Sequence, residues 1–114
     1  MRLVNLTPHA ITIYCVGEKI EIPSSGIVAR VEQTFAPAGT ISCDGKEIPL
    51  VVAGFGEIRD LPEPEDGVLY IVSLVVAQAS RERDDLIVPD TSPEGVIRDE
   101  NGRIIGTKRF LKVR

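Results

Sequence analysis

The sequence predicts a mainly β domain of the α+β class, an antiparallel sheet or partly closed small barrel with two tight hairpins and one short helix. Aromatic residues make up only 4% of the 114 residues, so the core must consist of Val, Ile and Leu, which favour strands. Two dipeptides typical of tight hairpins, Asp44-Gly45 and Asn101-Gly102, each separate two apolar stretches. Helical character appears in one segment only. A small sandwich is the alternative arrangement.

We expect a single domain spanning residues 1–114. The length is that of one ordinary domain, about 100 to 150 residues. Hydrophobic residues make up 43% of the chain, which is enough to bury a core.

The first half of the chain has the pattern of successive short strands. Apolar and polar residues alternate there, and Pro8 separates the first two strands. A loop is expected at 36–39, and Asp44-Gly45 forms a hairpin. The predicted strands of this half lie at 2–6, 10–16, 19–22, 27–35, 41–43, 46–48 and 50–53.

The second half contains the predicted core. Two prolines and a glycine make 61–67 a loop. Residues 68–72 are apolar without alternation, which indicates a central strand buried on both faces. Ser73 then caps a helix over 74–83. The remaining predicted strands lie at 86–88, 96–100 and 103–107.

The charge distribution bears on partners and location. A net charge of −4 disfavours nucleic acid as a partner. Residues 101–114 contain five basic and no acidic residues, a pattern typical of a solvated edge strand. The apolar run 68–77 is far shorter than the roughly 20 residues that cross a bilayer. Because the N-terminus lacks a signal-peptide pattern, we expect a cytoplasmic protein without membrane contact.

Motifs of common enzyme and metal-binding classes are missing from the sequence. Cys15 and Cys43 have no partner at metal-ligand spacing, and we expect both to be reduced, buried in strands and inert. Glycine-rich phosphate loops and the G-x-S-x-G elbow do not occur. We therefore predict no cofactor, no metal and no catalytic residue.

Two polar clusters are candidates for a ligand site. In the first, His9, the only histidine, follows Thr7-Pro8 in a bend where it can face a ligand, although it can equally serve the bend itself. In the second, the predicted strand-to-helix junction at Ser73 suits a phosphate or carboxylate, with Arg81 nearby. The candidate ligand-binding residues are Asn5, Thr7, His9, Ser73, Arg81, Asp84, Asp85 and Asp90.

The second cluster has two further interpretations. Asp84, Asp85 and Asp90 have the oxygen ligands of a divalent-cation site, but their spacing matches no calcium loop. In the purely structural interpretation, Ser73 only caps its helix and the charged residues form a solvated surface.

Two stretches of the chain resemble a family of small bacterial and phage proteins. The first is Asn5-Leu6-Thr7-Pro8-His9 with the segment Pro23 to Val31. The second is Tyr70 to Ala77 with Arg83-Asp84-Asp85-Leu86-Ile87-Val88-Pro89. The resemblance covers most of the chain and implies no activity. Small β-rich phage proteins without catalytic motifs include some that sequester nucleotide signals of host immunity, and this context favours ligand binding.

We therefore predict a protein that binds a small anionic, nucleotide-like ligand as a homo-oligomer, with a phage-type sponge for an immune signal as one form. Two alternatives stay open. One is a small hydrolase of phosphodiester or glycosidic bonds with His9 as acid/base and Asp84, Asp85 or Asp90 as its partner or as a metal ligand. The other is a protein-interaction or virion-associated module that docks a partner through exposed edges and the basic C-terminal strand.

Overall fold

The computed structural model describes residues 1–113; Arg114, the end of the predicted domain and of the basic stretch, lies outside them. The mainly β prediction is confirmed, with 52% of residues in strands and 5% in a helix. In chain order, the elements of the described residues are β1 (Arg2–Asn5), β2 (Ile11–Cys15), β3 (Glu18–Ile22), β4 (Arg30–Cys43), β5 (Lys46–Arg59), β6 (Val68–Ile71), α1 (Leu74–Ala79), β7 (Leu86–Pro89), β8 (Val96–Arg98), β9 (Ile104–Thr107) and β10 (Phe110–Leu111).

The strands form two four-stranded sheets and a separate pair. One sheet has the order β1-β6-β7-β10, the other has the order β3-β2-β9-β8, and β4 pairs with β5. Both sheets are open, so of the two predicted arrangements, a sheet or a partly closed barrel, the barrel is wrong. The prediction of antiparallel pairing is also wrong for β1-β6, β6-β7 and β2-β9, which are parallel. Each of these pairs is joined by a long crossover, which permits parallel pairing.

The predicted central strand is confirmed. β6 lies between β1 and β7, where Tyr70 is in register with Val4 on one side and with Leu86 on the other. Neighbours on both edges and buried side chains explain why this stretch is apolar without alternation. The core residues around it are Leu6, Ala29, Val68, Tyr70, Val72, Val76, Ala77, Leu86 and Val88.

The helix begins as predicted and ends early. Ser73 is its N-cap, and the Ser73 hydroxyl oxygen accepts a hydrogen bond from the Val76 backbone N–H at 3.4 Å. The helix ends at Ala79 instead of continuing to residue 83. Beyond it, the Arg83 backbone N–H bonds to the carbonyl of Ser80, and the Arg83 side chain turns to Asp85. Residues 80–83 therefore form a turn, closed by this backbone hydrogen bond, where the sequence predicted the last turn of the helix.

The largest difference from prediction is the segment 30–59. The Asp44-Gly45 hairpin is confirmed, with Cys43 in register with Lys46. The predicted loop at 36–39 is wrong, because Ala36 and Pro37 continue β4 and pair with β5. A register shift between Pro37 and Thr40 accommodates the proline and the glycine that we interpreted as strand breakers. The result is two strands of 14 residues each.

Smaller expectations have mixed outcomes. The hairpin around Asn101-Gly102 forms, but its turn is wider than two residues, since Arg98 is in register with Ile104. Cys15 and Cys43 lie in strands yet are free and exposed, so the expectation that they are buried is wrong. Within residues 1–113, the structure has no helix with the length and apolar character that crossing a membrane requires.

Candidate functional site

A cavity of about 290 Å³ lies between the bend after β1, the segment leading into β4 and the start of α1. This volume is near the lower end of the roughly 300 to 1,000 Å³ typical of small-molecule sites. Apolar side chains form most of its wall, Leu6, Val31 and Val76 among them. The polar residues that line it are Thr7, Arg30 and Ser73. The structure thus brings together Thr7 and Ser73, which come from the two separate candidate clusters.

Asn5 builds the bend beside this cavity. Its buried side chain donates to the carbonyls of His9 at 2.9 Å and Ile22 at 3.0 Å. Its Oδ1 accepts from the backbone N–H of Thr7 at 2.9 Å and lies 2.6 Å from the Thr7 hydroxyl. These contacts use both donors and the acceptor oxygen of the amide. Asn5 therefore positions Thr7 and has no hydrogen left for a ligand.

Thr7 and His9 differ in what they offer to a ligand. The Thr7 hydroxyl is 2.6 Å from Asn5 Oδ1 and 3.0 Å from the His9 carbonyl, so its single hydrogen is already used. Thr7 can therefore only accept a hydrogen bond at the cavity. His9 is exposed, and its backbone carbonyl accepts from Asn5. The imidazole does not line the cavity.

The donors of the cavity are Ser73 and Arg30. The Ser73 oxygen accepts from the helix, which leaves its O–H free to donate. Arg30 is exposed, and among the described residues its guanidinium has no hydrogen-bond or ion-pair partner. It stands directly opposite Arg59 in the β4-β5 register. Two like charges face each other here, since Arg59 has only a 3.8 Å contact with the exposed Glu57.

Sequence reasoning missed Arg30. The residue lies within the Pro23 to Val31 segment that carries the family resemblance, so a signal was present. The like charge beside Arg30 comes from Arg59, which the long hairpin places directly opposite it. This pairing depends on a register that a predicted loop at 36–39 would interrupt.

Arg81 and Asp84 lie outside the cavity. The Arg81 guanidinium donates to the carbonyl of Val113 at 3.4 Å, which ties the turn after α1 to the C-terminal segment. Asp84 is exposed in the connection between α1 and β7. Neither residue lines the cavity with Ser73.

Asp85 forms an ion pair that secures a loop. Two parallel hydrogen bonds join its carboxylate to Arg83, at 2.8 Å and 2.7 Å, and Arg83 also donates to the carbonyl of Pro62 at 2.9 Å. The hydrogen bonds from Arg83 lower the pKa of Asp85 against the opposing effect of burial. This pair fastens the proline-containing loop to the start of β7 and leaves little of the carboxylate for a ligand.

Asp90 lies at the centre of a second structural network. Its side chain is buried, accepts from the Ser92 backbone N–H at 2.9 Å and contacts Arg109. Hydrogen bonds from Ser92 and Arg109 lower the pKa of Asp90 to about 2. The Thr107 hydroxyl lies 2.6 Å from the Asp90 carbonyl and 2.9 Å from that of Gly95. The network joins the end of β7 to β9 and the segment before β10.

The three aspartates therefore do not gather at one place. Asp85 forms an ion pair with Arg83, and Asp90 forms one with Arg109. Asp84 is exposed to solvent. In the part of the chain that the structure describes, no group of three His, Cys, Asp or Glu side chains is placed to hold a metal ion.

Comparison of the chain with models of protein families, with characterised proteins and with solved structures gave no significant match.

Proposed function

We propose that the chain binds a small anionic ligand in the cavity between the Thr7 bend, the start of β4 and α1. The observation that carries this proposal is that Thr7 and Ser73 meet Arg30 at one largely apolar cavity. An apolar wall with a few polar groups is the usual composition of a small-molecule site. A guanidinium is well suited to phosphate or carboxylate oxygens, because it donates two parallel hydrogen bonds.

The charge environment supports an anion over a neutral ligand. Arg30 faces Arg59 across the strand pair and has no acidic partner of its own among residues 1–113. A bound anion would relieve this like-charge contact. The Ser73 O–H supplies a second donor, and the Thr7 oxygen can accept from a sugar or base.

A nucleotide-like ligand fits this division of the cavity. A flat base suits the apolar wall, where Pro8 is exposed and Val28 and Val75 are half-buried, and a phosphate suits the Arg30 edge. In this proposal the protein acts in the cytoplasm, and sequestration of a nucleotide signal by a phage-type sponge is one form of the function. The hydrolase alternative has less support, because His9 is exposed and Asp85 and Asp90 are held by arginines.

Calorimetric titration tests the proposal directly. The probes are a panel of mononucleotides and cyclic dinucleotides, with inorganic phosphate as a fragment of the same chemistry. We expect at least one nucleotide to bind, and Arg30→Gln to weaken it about 10-fold or more, since a hydrogen bond to a charged group contributes about 1.5 to 3 kcal/mol. Arg103→Gln, at the exposed turn between β8 and β9, is the matched control and should bind normally.

A second variant separates the ligand role of Ser73 from its cap role. Asp is as good an N-cap as Ser, so Ser73→Asp keeps the helix but brings a negative charge to the cavity. We expect this variant to fold and to lose the ligand. The proposal is refuted if no nucleotide gives a heat of binding. It is also refuted if a nucleotide binds Arg30→Gln and Ser73→Asp with the same affinity as the wild type.

A further inference from the structure

The strands β4 and β5 form an arm, residues 30–59, that stands away from the rest of the chain, which we call the body. The radius of gyration is 17.7 Å, whereas a compact chain of this length has about 13 Å. The accessible surface is 7900 Å², whereas a compact monomer of 12.4 kDa exposes about 6,100 Å². The excess of about 1,800 Å² exceeds the roughly 800 Å² that each partner contributes to a standard interface.

The arm has the composition of a covered surface. The stretches 33–43 and 48–56 contain no charged residue, although 26% of the chain is charged and these twenty residues would hold about five charges at that proportion. The large apolar side chains exposed along them are Phe35, Ile41, Ile48, Leu50, Val51, Val52 and Phe55. An isolated two-stranded hairpin is only marginally stable in water. Both features indicate a partner for the arm.

Alternation along the strands divides these side chains between two faces. Phe55, Ala53 and Val51 are in register with Gln33, Phe35 and Pro37, so these residues share one side, which we call the aromatic face. The opposite side carries Ala36, Ile41, Ile48, Leu50 and Val52, and we call it the aliphatic face.

The aromatic face is the better candidate for an interface. On β4, the residues of the aromatic face point to the same side of the strand as Val31, which packs against the body's core. On this face every register pair from Val31–Ile58 through Gln33–Phe55 to Phe35–Ala53 contains an apolar residue. Aromatic side chains at the centre of an interface contribute most to affinity.

We propose that the aromatic face packs on the aromatic face of a second copy of this chain, with the two arms antiparallel. In a two-fold dimer the same patch serves both partners, so it must be self-complementary. The arm meets this condition, because uncharged residues fill its middle and charges stand at both ends.

The arm's edges favour packing by a face over addition of a further strand. Pro37 lies near the middle of β4, and Pro49 is the fourth residue of β5. Proline has no backbone N–H, so a strand that bears it cannot continue a ladder with a new neighbour. Each edge is interrupted within the uncharged stretch that a partner strand would have to use.

Neighbouring valines provide a matched test. Val51 is 60% exposed and Val52 is 59% exposed, but they lie on the aromatic and the aliphatic face respectively. Sedimentation equilibrium of the full, ligand-free chain should give twice 12.4 kDa at high concentration. Val51→Lys should weaken self-association about 30-fold or more, as expected for loss of about 2 kcal/mol at an interface centre. Val52→Lys should change it less than about threefold.

The outcomes decide the proposal in either direction. A monomer at every concentration overturns it, and so does a dimer that Val51→Lys leaves intact or that Val52→Lys disrupts equally. If Val51→Lys fails to fold by circular dichroism, Val51→Thr replaces it, because Thr is also β-branched and suits a strand. That variant should weaken the dimer several-fold. Ligand-free protein is used throughout, so the result is independent of the proposed cavity function.

Discussion

The body and the arm use the same residue types in opposite environments. Leu6 in the body is 1% exposed and contributes to the core around β6, whereas Leu50 in the arm is 40% exposed. The body buries a core around β6, although Val16 and Ile104 stay exposed at its surface. The arm is a single two-stranded layer with apolar residues on both sides, and Phe35, Val51 and Val52 are about 60% exposed on it. The body therefore has a core of its own, whereas covering the aromatic face of the arm depends on the proposed second copy.

The largest expected effect comes from shortening one leucine in each region. Leu6→Ala should lower the free energy of unfolding by about 2 to 5 kcal/mol, since it removes buried methyl groups and leaves a cavity. Leu50→Ala should cost under about 1 kcal/mol, because the side chain is already partly in water. Urea unfolding of the two variants measures the difference. Equal losses would contradict the division into body and arm.

The second effect concerns a glycine in each region. A Cβ on Gly95 would lie 2.2 Å from Oδ2 of the buried Asp90, so Gly95→Ala should destabilise the body by about 1 to 3 kcal/mol. Gly56→Ala in the arm meets only the exposed Glu32, whose nearest atom, Cβ at 3.2 Å, needs to shift by only a few tenths of an ångström. Thermal unfolding should show a clearly lower Tm for Gly95→Ala than for Gly56→Ala. Similar Tm values would argue against the packed network around Asp90.

A third prediction concerns acid. Asp90 has its pKa lowered to about 2 from an ordinary 3.8, and Asp85 is shifted in the same direction. In that pH range the unfolded chain binds more protons, so stability is present above about pH 3.8 and is lost as the pH falls towards 2. Unfolding free energies measured across this range should decline with acid. Asp90→Asn should flatten the decline, and an unchanged slope would contradict the network.

The smallest expected effect is at the base of the arm. Arg30→Gln removes a like charge opposite Arg59 and should stabilise the chain by a few tenths of a kcal/mol, within the roughly 0.2 to 1 kcal/mol of cross-strand pairs. The same change should weaken ligand binding. If Arg30→Gln is slightly more stable but binds the ligand less well, Arg30 contributes to ligand binding and not to the stability of the fold. Lower stability would instead indicate a structural role.

Local signals in the sequence were sufficient where one short stretch determines the structure. The Asp44-Gly45 turn, the apolar stretch at 68–72 and the Ser73 cap each formed as predicted. The parallel order of β1, β6 and β7 was not predictable in this way, because it depends on where crossovers return the chain. The arm was missed because Pro37 and Gly39 have the local pattern of a loop, although a register irregularity keeps them in a strand.

The candidate site was predicted in part for the same reason. Thr7 and Ser73 lie at local features, a bend and a cap, and the fold brings them to one cavity. The acidic residues were equally visible in sequence, but Asp85 and Asp90 have arginine partners, and Arg109 is distant from Asp90 along the chain. Whether a carboxylate is available to a ligand depends on such pairings, which spacing alone does not reveal.

Hydrogen–deuterium exchange tests the contrast between body and arm most directly. It would be measured on the wild-type chain, Val51→Lys and Val52→Lys at one high protein concentration. We expect slow exchange of arm amides in the wild type and Val52→Lys, fast exchange in Val51→Lys, and equal protection of β6 in all three. Arm amides that exchange fast in every protein, or that stay protected in Val51→Lys, would contradict the claim that a second copy covers the arm.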